Sequence, residues 1–182
     1  KAKIVEDGDV FYSIDLSQVE PGTYKWARVS LTYQNYDIDF KASGFDMTGT
    51  VSSFVGFNTY IKSHQIKQES LSIFENKLQG YWAWETHPNQ VMANPIVNEG
   101  QSAGTTVPNP LNSTSPIPPG SCVVTGEFPD FLTITGNETE DIIIDLSFSI
   151  NNSFEWSDDL DNNIFEHLDG DTVVDMGIRG LI

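Results

Sequence analysis

The sequence predicts an all-β protein, an antiparallel β-sandwich, and three observations carry that expectation. Apolar residues recur with a period of two in stretch after stretch, turn-forming residues separate those stretches, and no helical periodicity interrupts them. The 182 residues suit a single domain, 1–182, and 38% hydrophobic with 12% aromatic content is enough for a packed core.

In chain order, residues 10–16 are a first, weaker strand candidate. After the turn Glu20-Pro21-Gly22, Ala27, Val29, Leu31 and Tyr33 interleave with Arg28, Ser30 and Thr32. In Tyr36-Asp37-Ile38-Asp39-Phe40-Lys41 the apolar residues take one face and the charges the other, and Ser43-Gly44 ends the run. Residues 51–61, 71–74, 81–85, 121–128 and 131–135 are further candidates, the last closed by Thr135-Gly136-Asn137. The fullest alternation is 142–150. Ile142, Ile144, Leu146, Phe148 and Ile150 share one face, and Asp145, Ser147 and Ser149 the other, as in a half-buried antiparallel strand. Residues 173–178 follow the turn Asp169-Gly170-Asp171. About ten short strands with frequent turns suggest a sandwich of immunoglobulin-like or transthyretin-like kind.

Residues 88–120 break the pattern. They hold seven of the nine prolines and no Lys or Arg, and the remainder is rich in Asn, Ser, Thr and Gly. About 60 residues follow, marginal for an independent core, so one sandwich carrying a long loop is favoured over two half-domains. Proline denies the ladder its donors, so the loop is expected to be strand-poor and to lie on the sandwich near Trp82 and Trp84.

Nine basic against 26 acidic residues give a net charge of −17. Such a chain repels phosphate backbones and anionic lipid, which argues against nucleic-acid and electrostatic membrane partners. No apolar run approaches the ~20 residues of a membrane-spanning helix. One cysteine, Cys122, excludes an internal disulfide and reads as a small buried residue.

Eight of the 26 acids lie between Glu155 and Asp175, with no Lys or Arg among them. Within this stretch Asp159, Asp161 and Asn163 set three side-chain oxygens at alternate positions, and Phe165 follows as a source of a backbone carbonyl. Calcium takes six to eight hard oxygen ligands, and EF-hand loops begin this way. An EF-hand would carry Gly sixth and Glu twelfth; Ile164 and Gly170 stand there, with Asp171 one residue late. The expectation is therefore one Ca²⁺ held by Asp159, Asp161, Asn163, Phe165 and Asp171. The alternative is a solvated acidic turn.

Trp82 and Trp84 share one face of a strand. Exposed, they would stack a sugar ring; covered, they belong to the core or lie beneath the loop. Catalytic signatures are missing: no Gly-x-Ser-x-Gly, no His-Glu-x-x-His, no phosphate-binding loop, and three scattered histidines. With so many acids, a carboxylate pair at glycosidase spacing has no discriminating power.

Three phrases carry a resemblance. They are Glu20-Pro21-Gly22-Thr23-Tyr24-Lys25-Trp26-Ala27-Arg28-Val29, the run 142–150 with Asn151-Asn152-Ser153-Phe154-Glu155-Trp156, and Val173-Val174-Asp175-Met176-Gly177-Ile178-Arg179-Gly180-Leu181. Together they resemble surface lipoproteins of the Bacteroidetes, and the acidic phrase is similar to their Asp-x-Asn-x-Asn-Gly calcium loops, with Ile164 in place of Gly. The resemblance covers about a third of the chain. It implies a β-sandwich at the cell surface or outer membrane, a lipid anchor on a cysteine ahead of Lys1, and an O-glycan on Thr172 from Asp171-Thr172-Val173.

The expected function is that of a non-enzymatic cell-surface or secreted protein, a binding or accessory subunit of an outer-surface assembly whose acidic loop is stabilised by calcium. Its partner would be a protein or a glycan. The alternative is a carbohydrate-binding module using Trp82 and Trp84, and a hydrolase with an unrecognised carboxylate site ranks third.

Overall fold

A computed structural model describes residues 3–54, 63–72, 80–89, 93–104, 109, 111–117 and 123–177. The protein is all-β, with no α-helix among the described residues. The strands among the described residues are β1 (Gly22–Ser30), β2 (Tyr33–Ala42), β3 (Phe45–Phe54), β4 (Ser63–Gln65), β5 (Ser70–Ser72), β6 (Tyr81–Thr86), β7 (Val97–Gln101), β8 (Ala103–Gly104), β9 (Val123–Ile134), β10 (Phe154–Ser157) and β11 (Thr172–Met176).

The central sheet has the order β2-β3-β6-β7 and is antiparallel throughout. The alternation of 36–41 decides which way β2 faces. Tyr36, Ile38 and Phe40 turn to one side with Met47 and Val51 of β3 and Trp84 of β6. That side packs on the second sheet, β10-β11-β8, through Phe154, Trp156, Phe165, Val173 and Met176. These two layers form the sandwich. Its centre is aromatic: the Trp84 ring meets Phe40 edge-on at 4.5 Å and Phe165 at 5.8 Å, geometries the ring quadrupoles favour. Glycine makes room for the indoles. A Cβ on Gly100 would sit 2.5 Å from the Trp82 ring, and one on Gly49 would sit 3.0 Å from the Glu85 carbonyl oxygen.

The β4–β5 hairpin covers the opposite face, where Ile66 is buried with Tyr81 and Ala83. The third unit is a two-stranded ribbon, β1-β9, in which Val124 packs with Val29, Leu31, Leu146 and Phe148. Arg28 ties this ribbon to the turn at 109–115: its guanidinium donates to the Ser115 hydroxyl (2.7 Å) and carbonyl (2.8 Å) and to Asn109 Oδ1 (3.2 Å).

Several expectations need correction. Residues 10–16 form no strand: Val10, Tyr12 and Ile14 are 70, 69 and 46% exposed, and Leu16–Gln18 make one 3-10 turn capped by Asp15. The run 142–150, despite the fullest alternation, forms no ladder and has only an isolated bridge at Phe148. Alternation specifies a face to bury and says nothing of a partner edge. Leu146 and Phe148 find their face on the ribbon, while Ile143, Ile144 and Ile150 stay exposed. The two strands expected at 121–128 and 131–135 are one strand, β9. Within 88–120, Val97–Gln101 (β7) form the edge of the central sheet, clear of the prolines, while residues 90–92, 105–108, 110 and 118–120 lie outside the described residues. Cys122 and residues 55–61, 73–74 and 178 lie outside the described residues.

Candidate functional site

The structure separates the residues that the sequence singles out. Trp84 is only 5% exposed and sits at the centre of the sandwich core, and Trp82 is half-buried over Gly100 against the same cluster. They do share a face, but it is the inner one. The stacking platform expected at Trp82 and Trp84 is therefore corrected: a fully packed indole offers no face to a sugar.

The acidic loop between β10 and β11 closes on itself. Asp171, 2% exposed, accepts the Asp159 N–H on Oδ1 (2.9 Å) and the Glu166 N–H on Oδ2 (2.8 Å). Asp158 Oδ2 accepts the Asn163 N–H at 2.5 Å, and Glu166 Oε2 accepts from the Asn162 amide at 2.6 Å. Asp161 and Asn163 take left-handed backbone conformations (φ 53° and 59°), which short polar side chains tolerate. Burial works to raise the Asp158 pKa, but the backbone amides of Asn163, Asn162, Asp161 and Leu160 outweigh it and hold the carboxyl below its usual range.

Of the five residues expected to hold calcium, Asp171 and Phe165 make other bonds. Asp159 and Asp171 are adjacent, but Asp171 points inward and organises the backbone. Phe165 is a core residue, 3% exposed, and its carbonyl accepts the Lys41 N–H of β2 at 2.9 Å. Asp161 and Asn163 are exposed on the outside of the turn. No group of three or more His, Cys, Asp or Glu side chains converges on a metal-sized space among the described residues. Thr172 opens β11 on the exposed side, with its hydroxyl 2.8 Å from that of Ser157.

A cluster on the face opposite the sandwich core contains a hydroxyl, an imidazole and a carboxylate. The buried Thr50 hydroxyl donates to Asp37 Oδ1 (2.6 Å) and lies 2.8 Å from His87 Nε2. A threonine hydroxyl has one hydrogen. Given to Asp37, it leaves the Thr50 oxygen to accept, so His87 Nε2 carries a hydrogen and donates it. A general base for a nucleophile needs the reverse arrangement. The Thr50 hydrogen bond, with Lys67 at 3.5 Å and His87 adding favourable charge, lowers the Asp37 pKa against the opposing effect of burial.

A feature the sequence reading missed lies on the ribbon. Trp26 pairs with Glu127 and Tyr24 with Leu132, so four residues of β9, Phe128-Pro129-Asp130-Phe131, stand opposite Lys25 alone. This is a bulge of the larger, special kind, with more than one extra residue, and Pro129, which has no N–H to offer a ladder, marks it. Lys25 pairs with Glu127 at 3.1 Å and lies over the Trp26 and Phe131 rings at 5.0 and 5.8 Å. Between the bulge and residues 143–146 runs a groove of about 340 Å³, near the lower end of the range for ligand pockets. Phe131, Ile143 and Ile144 on its rim are 59, 82 and 44% exposed. The signal available in sequence was Pro129 inside an otherwise strand-like run.

No family model matches this chain, and neither the curated proteins nor the solved structures contain a match to it.

Proposed function

We propose that the protein is a non-enzymatic binding or accessory subunit of an outer-surface assembly, on a cell surface or secreted, and that it meets a protein partner through the groove of the β1–β9 ribbon. The observation that carries this reading is the run of exposed apolar side chains, Phe131, Ile143 and Ile144, beside a preformed concavity. Adjoining large apolar residues left in water mark interaction surfaces more often than scattered single ones do. The hydrogen-bond direction at Thr50 and His87, which disarms the one hydroxyl–imidazole pair described, supports a binding role over a hydrolytic one. The surface location rests on the resemblance, as does the proposed O-glycan on Thr172, which would lie on the exposed start of β11.

Parallel panels of displayed peptides and immobilised glycans, probed with the parent and with the double variant Phe131→Ser/Ile143→Ser, test this reading. Peptide ligands that the parent retains and the variant loses are expected. Glycan retention that is identical in parent and variant, with no peptide ligand for either, would replace it with the carbohydrate-binding alternative.

A further inference from the structure

The groove has a chemical polarity that narrows its occupant. Of the charged side chains lining it, Glu127 is neutralised by Lys25, whereas Asp130 and Asp145 are exposed and form no ion pair among the described residues. No lysine or arginine is among its described lining residues, and Lys25 beside it is paired with Glu127. One wall, residues 142–147, alternates apolar and polar residues in sequence at Ile144, Asp145, Leu146 and Ser147, joins no ladder, and makes no backbone–backbone hydrogen bond among the described residues. A backbone outside the ladders beside an apolar trough can serve as the receiving half of a β-addition, in which main-chain bonds supply affinity and alternate side chains supply specificity.

We propose that this groove takes an extended segment of a partner protein in which apolar residues alternate with lysine or arginine. This deepens the binding reading above and rests on it. The segment pairs its backbone with residues 142–147. Its apolar side chains enter the trough beside Phe131 and Ile144, and its basic side chains reach Asp130 and Asp145. The chain's net charge of −17 draws such a segment in, and the trough selects among cationic segments.

Fluorescence anisotropy with short labelled peptides at ~0.15 M salt, where diffuse attraction is screened beyond about 8 Å, tests the proposal. A peptide alternating valine and lysine is expected to bind. One alternating serine and lysine, equal in charge, is expected to bind at least roughly tenfold more weakly, the loss that follows when even one valine side chain has no trough to enter. The double variant Asp130→Asn/Asp145→Asn should weaken the valine–lysine peptide, and Asp46→Asn/Glu69→Gln, an equal change of charge elsewhere, should not. Amide hydrogen exchange at residues 142–147 should slow in the complex. Equal binding of both peptides, or equal effects of the two double variants, would reduce the interaction to net charge and overturn the proposal. Absence of binding by the valine–lysine peptide would also overturn it. Peptide ligands of other chemistry that are lost in Phe131→Ser/Ile143→Ser would then leave the broader binding reading standing.

Discussion

Glu85 holds the β4–β5 hairpin on the central sheet, and its removal should be felt in a predictable way. The side chain is fully buried. Its Oε2 accepts the backbone N–H groups of Lys67 (3.0 Å), Gln68 (2.9 Å) and Glu69 (2.9 Å), and Oε1 accepts that of Gln68 at 3.1 Å. Three successive amides of the hairpin turn thus converge on one carboxylate from β6. Two further bonds, from the Asn35 amide to the Gln65 (2.9 Å) and Ile66 (2.7 Å) carbonyls, latch the same turn to β2. Ile66 between them is buried against Tyr81 and Ala83. Glu85→Ala strips the acceptor from all three amides. At about 1 kcal/mol each, the low end for an orphaned group because the turn borders solvent, the loss is ~3 kcal/mol. For a chain of 182 residues that corresponds to a fall of roughly 6–12 °C in the melting midpoint. Glu85→Gln keeps one acceptor oxygen where three amides meet but turns an NH₂ toward a donor, so it should cost less, ~1–2 kcal/mol. Urea unfolding of both variants gives the magnitudes. Hydrogen exchange gives the location, with protection lost first at Lys67, Gln68 and Glu69. If Glu85→Ala melts within about 1 °C of the parent, or Glu85→Gln is as damaging as Glu85→Ala, the carboxylate does not act as the clamp.

Gly170 has φ +120°, and a Cβ there would lie 2.7 Å from Asp159 Oδ2, so Gly170→Ala should destabilise by about 1–3 kcal/mol in a thermal melt, and a neutral result would show that the turn can relax. Burial, then the hydrogen bond to Glu99 and its charge, raise the Tyr81 pKa in the fold. The unfolded phenol titrates near ~10, so this contribution to stability is intact below that pH and is lost progressively above it. Absorbance titration should show one tyrosine resisting ionisation until unfolding, and Tyr81→Phe should remove that resistant step. For the acidic loop, in which Asp171 and Asp158 Oδ2 already accept backbone N–H groups although Asp158 Oδ1 is buried with no partner among the described residues, the melting midpoint should be the same in chelator and in calcium. A calcium-dependent rise, worth roughly 2.7 kcal/mol at a hundredfold excess over the dissociation constant and abolished in Asp161→Asn, would restore the ion to this loop. Phe165→Ala, emptying the space beside Trp84, Phe154 and Trp156, should cost about 3–5 kcal/mol.

The amino-acid sequence by itself determined the class of the fold and the faces of its best strands. Period-two alternation at 36–41 turns Tyr36, Ile38 and Phe40 inward because successive side chains of any strand point to opposite sides, whatever the strand pairs with. The turns at Ser43-Gly44 and Gly170 were legible for a similarly local reason: Ser43, Gly44 and Gly170 all stand at positive φ. Partnership was not local. Residues 142–150 alternate more fully than β2, yet find no ladder, and 10–16 find neither ladder nor core, because an edge must be offered from elsewhere in the chain. Trp82 and Trp84 were correctly set on one face, but whether that face met water or Phe165, some 80 residues away, lay beyond any local pattern. The acidic loop shows the same limit. Spacing placed oxygens at intervals suited to an ion, and only the folded chain turned Asp171 onto two backbone amides and committed the Phe165 carbonyl to Lys41. The groove, built from a bulge in β9 and an unladdered segment a dozen residues further on, exists only where those two come together, so no stretch of sequence contained it.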